Sequence, residues 1–312
     1  MHIPDGFLDT KTAVTTAVLS TAAVGIALRQ ARASLPPRSI PTMGLAAAFV
    51  FAAQMLNFPV AAGTSGHLMG AVLSAVLLGP AGGVVVITSV LVVQSLLFAD
   101  GGLVALGANV LNMAVVATLC GYGIYRVMLR IMPGDRGRVV AVAFASWCST
   151  VIAAICCAGE LAWSGTAPWG AAFPAMANVH MLIGIGEALI TALVIVALAR
   201  VRPELLRQGA AALSGGNAVM YGLVLVVGLV VFVSPFASSW PDGLAKVAGV
   251  LGFEQKAIEG GAPAAAMPDY QVPGLGSPAA ATAVAGALGT ILVFGLSFVL
   301  AKILVPSTRP RI

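Results

Sequence analysis

Charge is scarce in this chain. Only 9% of its 312 residues are Asp, Glu, Lys or Arg, whereas 59% are apolar, and the mean hydropathy is +1.01. A water-exposed shell needs about 25–35% charged residues, so soluble enzymes, nucleic-acid binders and disordered scaffolds are excluded. The apolar excess must face lipid. Cysteine is sparse as well. Cys120, Cys148, Cys156 and Cys157 lie inside apolar runs, where a thiol behaves as a small hydrophobe, and no disulfide framework is implied. No Gly-Lys dipeptide occurs, so a Walker phosphate loop is absent and the chain is expected to be no enzyme of that kind. The opening MHIPDGFLDT has neither a basic region before an apolar core nor a small-residue cleavage site after one. It is not expected to be a removable signal peptide, and Met1 and His2 should stand at the mature terminus.

What the chain does have is a series of apolar runs. Windows of about 20 residues place spans near 12–28, 41–58, 67–79, 81–98, 103–125, 139–157, 179–199, 217–235 and 282–304. The third and fourth share a Gly-Pro-Ala-Gly-Gly break at 79–83, which predicts either a hairpin or one broken segment. The fold class expected is all-α: a polytopic membrane helical bundle with about seven spans, followed by a two-helix module. Basic residues cluster in alternate connections: Arg29, Arg32 and Arg38; Arg126, Arg130, Arg136 and Arg138; Arg200, Arg202 and Arg207; Lys302, Arg309 and Arg311. Only Lys11, Lys246 and Lys256 fall on the other side. By the positive-inside rule the larger set faces the cytoplasm, the amino terminus lies outside and the carboxyl terminus inside. The acidic residues Asp5, Asp9, Asp100, Glu160, Asp242, Glu254, Glu259 and Asp269 are expected mostly on the outer side. Small residues after Arg207 read as a linker. The expected units are therefore a membrane domain at 1–207, a linker at 208–216, and a module at 217–312 whose outer loop covers 236–281.

Two of the three histidines, His2 and His67, fall on the predicted outer face. His67 opens a span in GTSGHLMG, where a structural histidine at a helix start is one reading. His2 supports another. A free α-amine, the amide nitrogen of residue 2 and Nδ1 of a histidine at residue 2 close two fused chelate rings on one metal. A second imidazole from His67 completes a square-planar set of four nitrogens. That geometry favours Ni(II) or Cu(II). The amine must lose its proton on binding, so uptake should weaken in acid. A competing motif overlaps the same loop: Gly63-Thr64-Ser65-Gly66 spells GxSG, the nucleophile signature of rhomboid-type intramembrane serine proteases, with His180 as an imaginable base. Ser65, however, precedes its span, and no Trp-Arg loop motif accompanies it. Glu187 is an acid within a span, seven residues after His180, suited to a path lining or an interhelical hydrogen bond. Asn109 and Met113 form an i, i+4 pair that would wall a metal cavity or pack helices.

At MHIPDGFL, GTSGHLMG, DGGLVALGANVLNMA and HMLIGIGEALITALV the chain resembles the substrate-binding M component of cobalt and nickel energy-coupling factor transporters, in order through residues 1 to about 200. The resemblance implies that Met1, His2 and His67 hold the metal. The carboxyl-terminal module is similar to the small N component, here with Trp240-Pro241-Asp242-Gly243-Leu244; related modules continue PDGLE, and this one has Ala245 instead. The resemblance thus implies a fused MN protein of the nickel-associated kind. Its role would be metal capture at the bacterial cell (inner) membrane, with Ni2+ or alternatively Co2+ as cargo and no cofactor. Its partners would be a transmembrane coupling T component and cytoplasmic ATPase subunits. A secondary metal transporter that needs no ATPase is the other transport reading.

Overall fold

The computed structural model describes residues 1–206, 216–258 and 265–305. Arg207, Glu259, Arg309, Arg311 and linker residues 208–215 lie outside the described residues. The helices are α1 (Thr10–Ser34), α2 (Ile40–Met55), α3 (Ala71–Leu97), α4 (Leu106–Ile131), α5 (Asp135–Trp163), α6 (Trp169–Val201), α7 (Gly216–Val233), α8 (Gly243–Leu251) and α9 (Pro278–Leu304). A two-residue antiparallel ribbon pairs Phe58–Pro59 (β1) with Ser65–Gly66 (β2). Seven helices are long and apolar enough to cross a membrane, namely all except α2 and α8. α2 has 16 residues and is apolar. The chain is a multi-pass helical membrane protein. Its lipid face is visible in large exposed side chains such as Val18 and Ile26 on α1, Leu189 and Leu193 on α6, and Ile291 and Val299 on α9.

The two short spans expected at 67–79 and 81–98 are the arms of one hairpin. Within α3, Gly79 leaves the helix at φ 77°, ψ 166°, a conformation open to glycine, and the next residue is Pro80. In an uninterrupted helix residues 75 and 83 would stand about 12 Å apart along the axis. Instead the position of a Gly83 Cβ is 3.1 Å from the Ala75 Cα, so the arms lie against each other and only glycine fits between them. The bend sits beside Leu35, at the end of α1 farthest from the chain start. Both arms of α3 therefore run from the bend back toward the side of the amino-terminal segment, the second arm being the longer.

α5 and α6 form a long antiparallel pair joined at Ser164–Pro168. The carboxyl-terminal helices α7 and α9 pack on α2 through small residues. A Cβ at Gly289 would fall 2.2 Å from the Phe51 ring, and one at Gly44 2.9 Å from Phe294, so glycine is what lets these helices approach. Between α7 and α9 the chain crosses the end of the bundle where residue 1 lies, carrying α8 over it.

Candidate metal centre

The first eight residues enter the bundle end as an extended arm: Met1, Ile3 and Phe7 are buried at 7%, 0% and 2% exposure. The main chain of Ile3 is clamped by Asn109, whose Oδ1 accepts the Ile3 N–H at 2.7 Å while its Nδ2 donates to the Ile3 carbonyl at 3.0 Å. That carbonyl also accepts from the Gly102 N–H at 2.9 Å. Asp5 accepts from the N–H groups of Leu103, Val104 and Ala105 at 3.1, 2.9 and 3.1 Å, and so caps the start of α4 from another part of the chain. Thr166 donates to the Phe7 carbonyl at 2.6 Å, and the Ile258 N–H to the Asp5 carbonyl at 2.9 Å. The arm is thus held both by its main chain and by the Asp5 carboxylate. DGG at 100–102 is needed there because a Gly102 side chain would overlap Asp5.

His67 is delivered by the β1–β2 ribbon and the following loop. Glu187 on α6 accepts the N–H groups of Met69 and Gly70 at 2.5 and 3.0 Å, at the start of α3, where a carboxylate is favoured. Gly70 takes φ 74° there. Gln54 Nε2 adds a bond to the Met69 carbonyl at 2.9 Å. Glu187 is therefore a support for the His67 loop. Its partners are main-chain groups, not the polar side chain that an interhelical bond would supply.

These two pieces bring together residues far apart in sequence. The Met1 amine nitrogen is 3.2 Å from His67 Nε2. The His2 and His67 rings stack with centroids 5.2 Å apart. His67 Nδ1 is 3.2 Å from the Leu68 carbonyl, which only accepts, so the hydrogen resides on Nδ1 and Nε2 presents a lone pair to the amine. His2 points Nδ1 at Asp100 Oδ1 (3.2 Å) and Nε2 at Gln94 Oε1 (3.2 Å). Its main-chain N–H has no acceptor among the described residues. All three sequence-predicted ligands thus converge, with the His2 ring turned toward Asp100.

Sequence reasoning did not assign Asp242, Asp100 or Gln94 to this place. Asp242 Oδ2 lies 2.6 Å from the Met1 amine, and its Oδ1 accepts the Ala245 N–H at 2.8 Å as the N-cap of α8. The quoted Trp-Pro-Asp-Gly-Leu motif was the available signal. Burial alone would raise the Asp242 carboxyl, but the ammonium beside it and the Ala245 N–H hold it well below the usual carboxylate range. Burial pushes the His2 imidazole down, against the pull of Asp100. Burial, then the positive amine and His2, push His67 down further. Burial thus disfavours the charged form of both imidazoles.

Two cavities flank the amine. An outer one of about 270 Å³ is lined by His2, Gln54, Asn57, Asp100, Asp269 and Tyr270, among others. An inner one of about 20 Å³ is lined by Met1, His67, Met69, Met113 and His180, among others. Ser65 donates to the Trp240 carbonyl at 2.6 Å, so its hydroxyl is spent on the α8 loop and not on a base. Asn112 donates to Glu160 at 2.7 Å, a helix-packing contact. Among the described residues no group of three or more His, Cys, Asp or Glu side chains is placed to hold a metal ion. A metal bound at the amine would therefore draw on main-chain nitrogen.

The fold is that of a multi-pass membrane protein, and its likeness to known proteins places it among metal transport proteins. Residues 2–205 match the family described as cobalt uptake substrate-specific transmembrane region, and residues 216–306 match the PDGLE domain, the latter despite Ala245. The chain belongs to this nickel and cobalt transport family. It is 38% identical to a putative fused nickel transport protein NikMN of Archaeoglobus fulgidus, over 97% of this chain and 98% of that one. A fused nickel transport protein NikMN of Rhodobacter capsulatus is 36% identical over 66% of this chain and 64% of its own length. A crystal structure titled as a transition metal transporter superposes with TM-score 0.59 at 35% identity, covering 65% of this chain and 95% of that one.

Proposed function

We propose that this chain is the substrate-capture subunit of an ATP-driven nickel importer. The observation that carries the reading is the meeting of the Met1 amine with His67 Nε2 at 3.2 Å, across 66 residues. On binding, the amine and the His2 amide would each give up a proton to the solvent, and the amide nitrogen and Nδ1 of His2 would close a chelate on the same ion. This requires the His2 ring to release Asp100. His67 Nε2 fills the fourth corner of a square-planar nitrogen set, which suits Ni(II). Asp242 stays beside the amine as an anion next to the bound cation.

The remaining parts of the reading follow from charge and family. The amino terminus faces outside and the carboxyl terminus the cytoplasm of a bacterial inner membrane. Residues 1–207 form the metal-binding domain and 217–312 the module that closes over it. Release inward is driven by a transmembrane coupling T component and cytoplasmic ATPase subunits. Cobalt is the alternative cargo, favoured by the family description of residues 2–205. The test compares three variants in a nickel titration of purified protein, with the electronic spectrum reporting planar geometry. His2→Ala and His67→Ala are expected to lose the planar signal, and Ser65→Ala to keep it. Loss in Ser65→Ala with retention in both histidine variants would overturn the assignment.

A further inference from the structure

The inner cavity contains one strong donor that the capture set does not use. His180, on α6, is 1% exposed, and its Nδ1 lies 2.9 Å from the Met176 carbonyl. A carbonyl only accepts, so the hydrogen sits on Nδ1 and Nε2 is left with an open lone pair. Among the described residues that Nε2 has no hydrogen-bond partner. A buried acceptor without a donor is costly, which calls for a ligand. A neutral imidazole whose other nitrogen is held by a main-chain carbonyl is the form in which histidine binds metals.

The surroundings suit a cation in transit. The cavity of about 20 Å³ has room for one water or one bare ion. Met1 and His67 form one wall, so an ion leaving the capture set meets His180 without crossing a barrier of packed side chains. Met69 and Met113 also line it, and thioethers are soft donors for late transition metals. His180 lies about 16 Å along α6 from Trp169, whose end of the helix adjoins the Ser164–Thr166 loop that binds the arm at Phe7 and Asp9. The cavity lies at the level of the capture set itself, since Gly66 packs on Ile183, and Met69 and Gly70 bond Glu187, both further along α6. Gly243 closes it from the α8 side, the position of its Cβ lying 2.8 Å from His180 Nε2.

We propose that His180 Nε2 is a second metal contact, a station beside the capture set that receives the ion from the Met1, His2 and His67 nitrogens before it is released. The inference rests on the capture-site reading above. One imidazole with thioether neighbours grips more weakly than four nitrogens, which is what a transfer point requires.

The test measures capture and delivery separately. Equilibrium nickel titration of the purified full chain reads capture through the planar spectrum. Radioactive nickel uptake by cells carrying the complete transport system reads delivery. His180→Ala, and His180→Gln as a variant of similar volume, are expected to keep nickel affinity within about threefold of wild type, while uptake falls at least tenfold at equal amounts in the membrane. The retained planar spectrum shows that the variant protein is folded. Uptake at the wild-type rate in either folded variant would overturn the station at His180. So would loss of the planar signal in His180→Gln as complete as in His67→Ala, since His180 would then belong to the capture set. Full nickel affinity in His67→Ala would instead overturn the capture site itself, and the station at His180 with it.

Discussion

Gly102→Ala tests how tightly the arm must be held. A Cβ at this position would stand 2.0 Å from Asp5 Oδ1 and 2.4 Å from the Asp5 main-chain nitrogen, whereas ordinary contact begins at 3.4 Å. The obstacle is backbone, so a rotamer change cannot relieve it, and the arm must retreat by about 1 Å. Bonds to Ile3 and Asp5 that now measure 2.7 to 3.1 Å then pass beyond hydrogen-bonding range. Losing two or three of them, at about 1 kcal/mol each, makes the binding geometry about 2–3 kcal/mol harder to reach. That corresponds to nickel affinity weaker by about 30- to 150-fold. The assay is a nickel titration of purified protein followed by absorbance, beside Gly170→Ala as a control, because a Cβ at Gly170 meets nothing within 4 Å. Affinity within threefold of wild type for Gly102→Ala would refute the claim that docking of the arm positions the ligands.

Glu187→Gln should lower unfolding stability by about 1–3 kcal/mol, because a single amide oxygen leaves one of the Met69 and Gly70 N–H groups buried without an acceptor; an unchanged melting temperature would contradict this. Stability of the metal-free protein should also fall as pH drops below the ordinary histidine value of 6.5. There the unfolded chain takes up protons that the buried His2 and His67 refuse, so the unfolded state binds more protons and gains on the folded one. Above that pH both states hold neutral imidazoles and this contribution is flat. Thermal melts between pH 5 and pH 8 read the slope, and the opposite sign would show that the two imidazoles are charged when folded.

Much of the bundle was legible from hydropathy, because each lipid-facing helix has to be apolar along its length. The reversal at Gly79 was signalled by the Gly-Pro-Ala-Gly-Gly run, though only the closeness of Gly83 to Ala75 decides for a hairpin. Met1, His2 and His67 were nominated because an α-amine followed by histidine is a chelator by its covalent chemistry, and the fold does bring the three together. Asp242 was not, since it reaches the amine from 241 residues away and no periodicity records such a contact. Glu187 was seen but misjudged in its partners, because main-chain N–H groups leave no mark on a sequence. Asn109 and Met113 were expected to face one way as an i, i+4 pair. Both do meet the arm, Asn109 by clamping Ile3 and Met113 by lining the cavity beside Met1, although a π-helical turn over Val110–Val116 lies between them, which the sequence did not signal.

The central claim is that the α-amine of residue 1 is itself a metal ligand, and a chain bearing one additional alanine ahead of Met1 addresses it most directly. The extension moves the free amine by about 3.8 Å and turns the Met1 nitrogen into an ordinary amide, while every side chain is kept. A nickel titration of this protein is predicted to show no planar absorption band and affinity reduced at least a hundredfold. Wild-type affinity with an unchanged spectrum would contradict the claim.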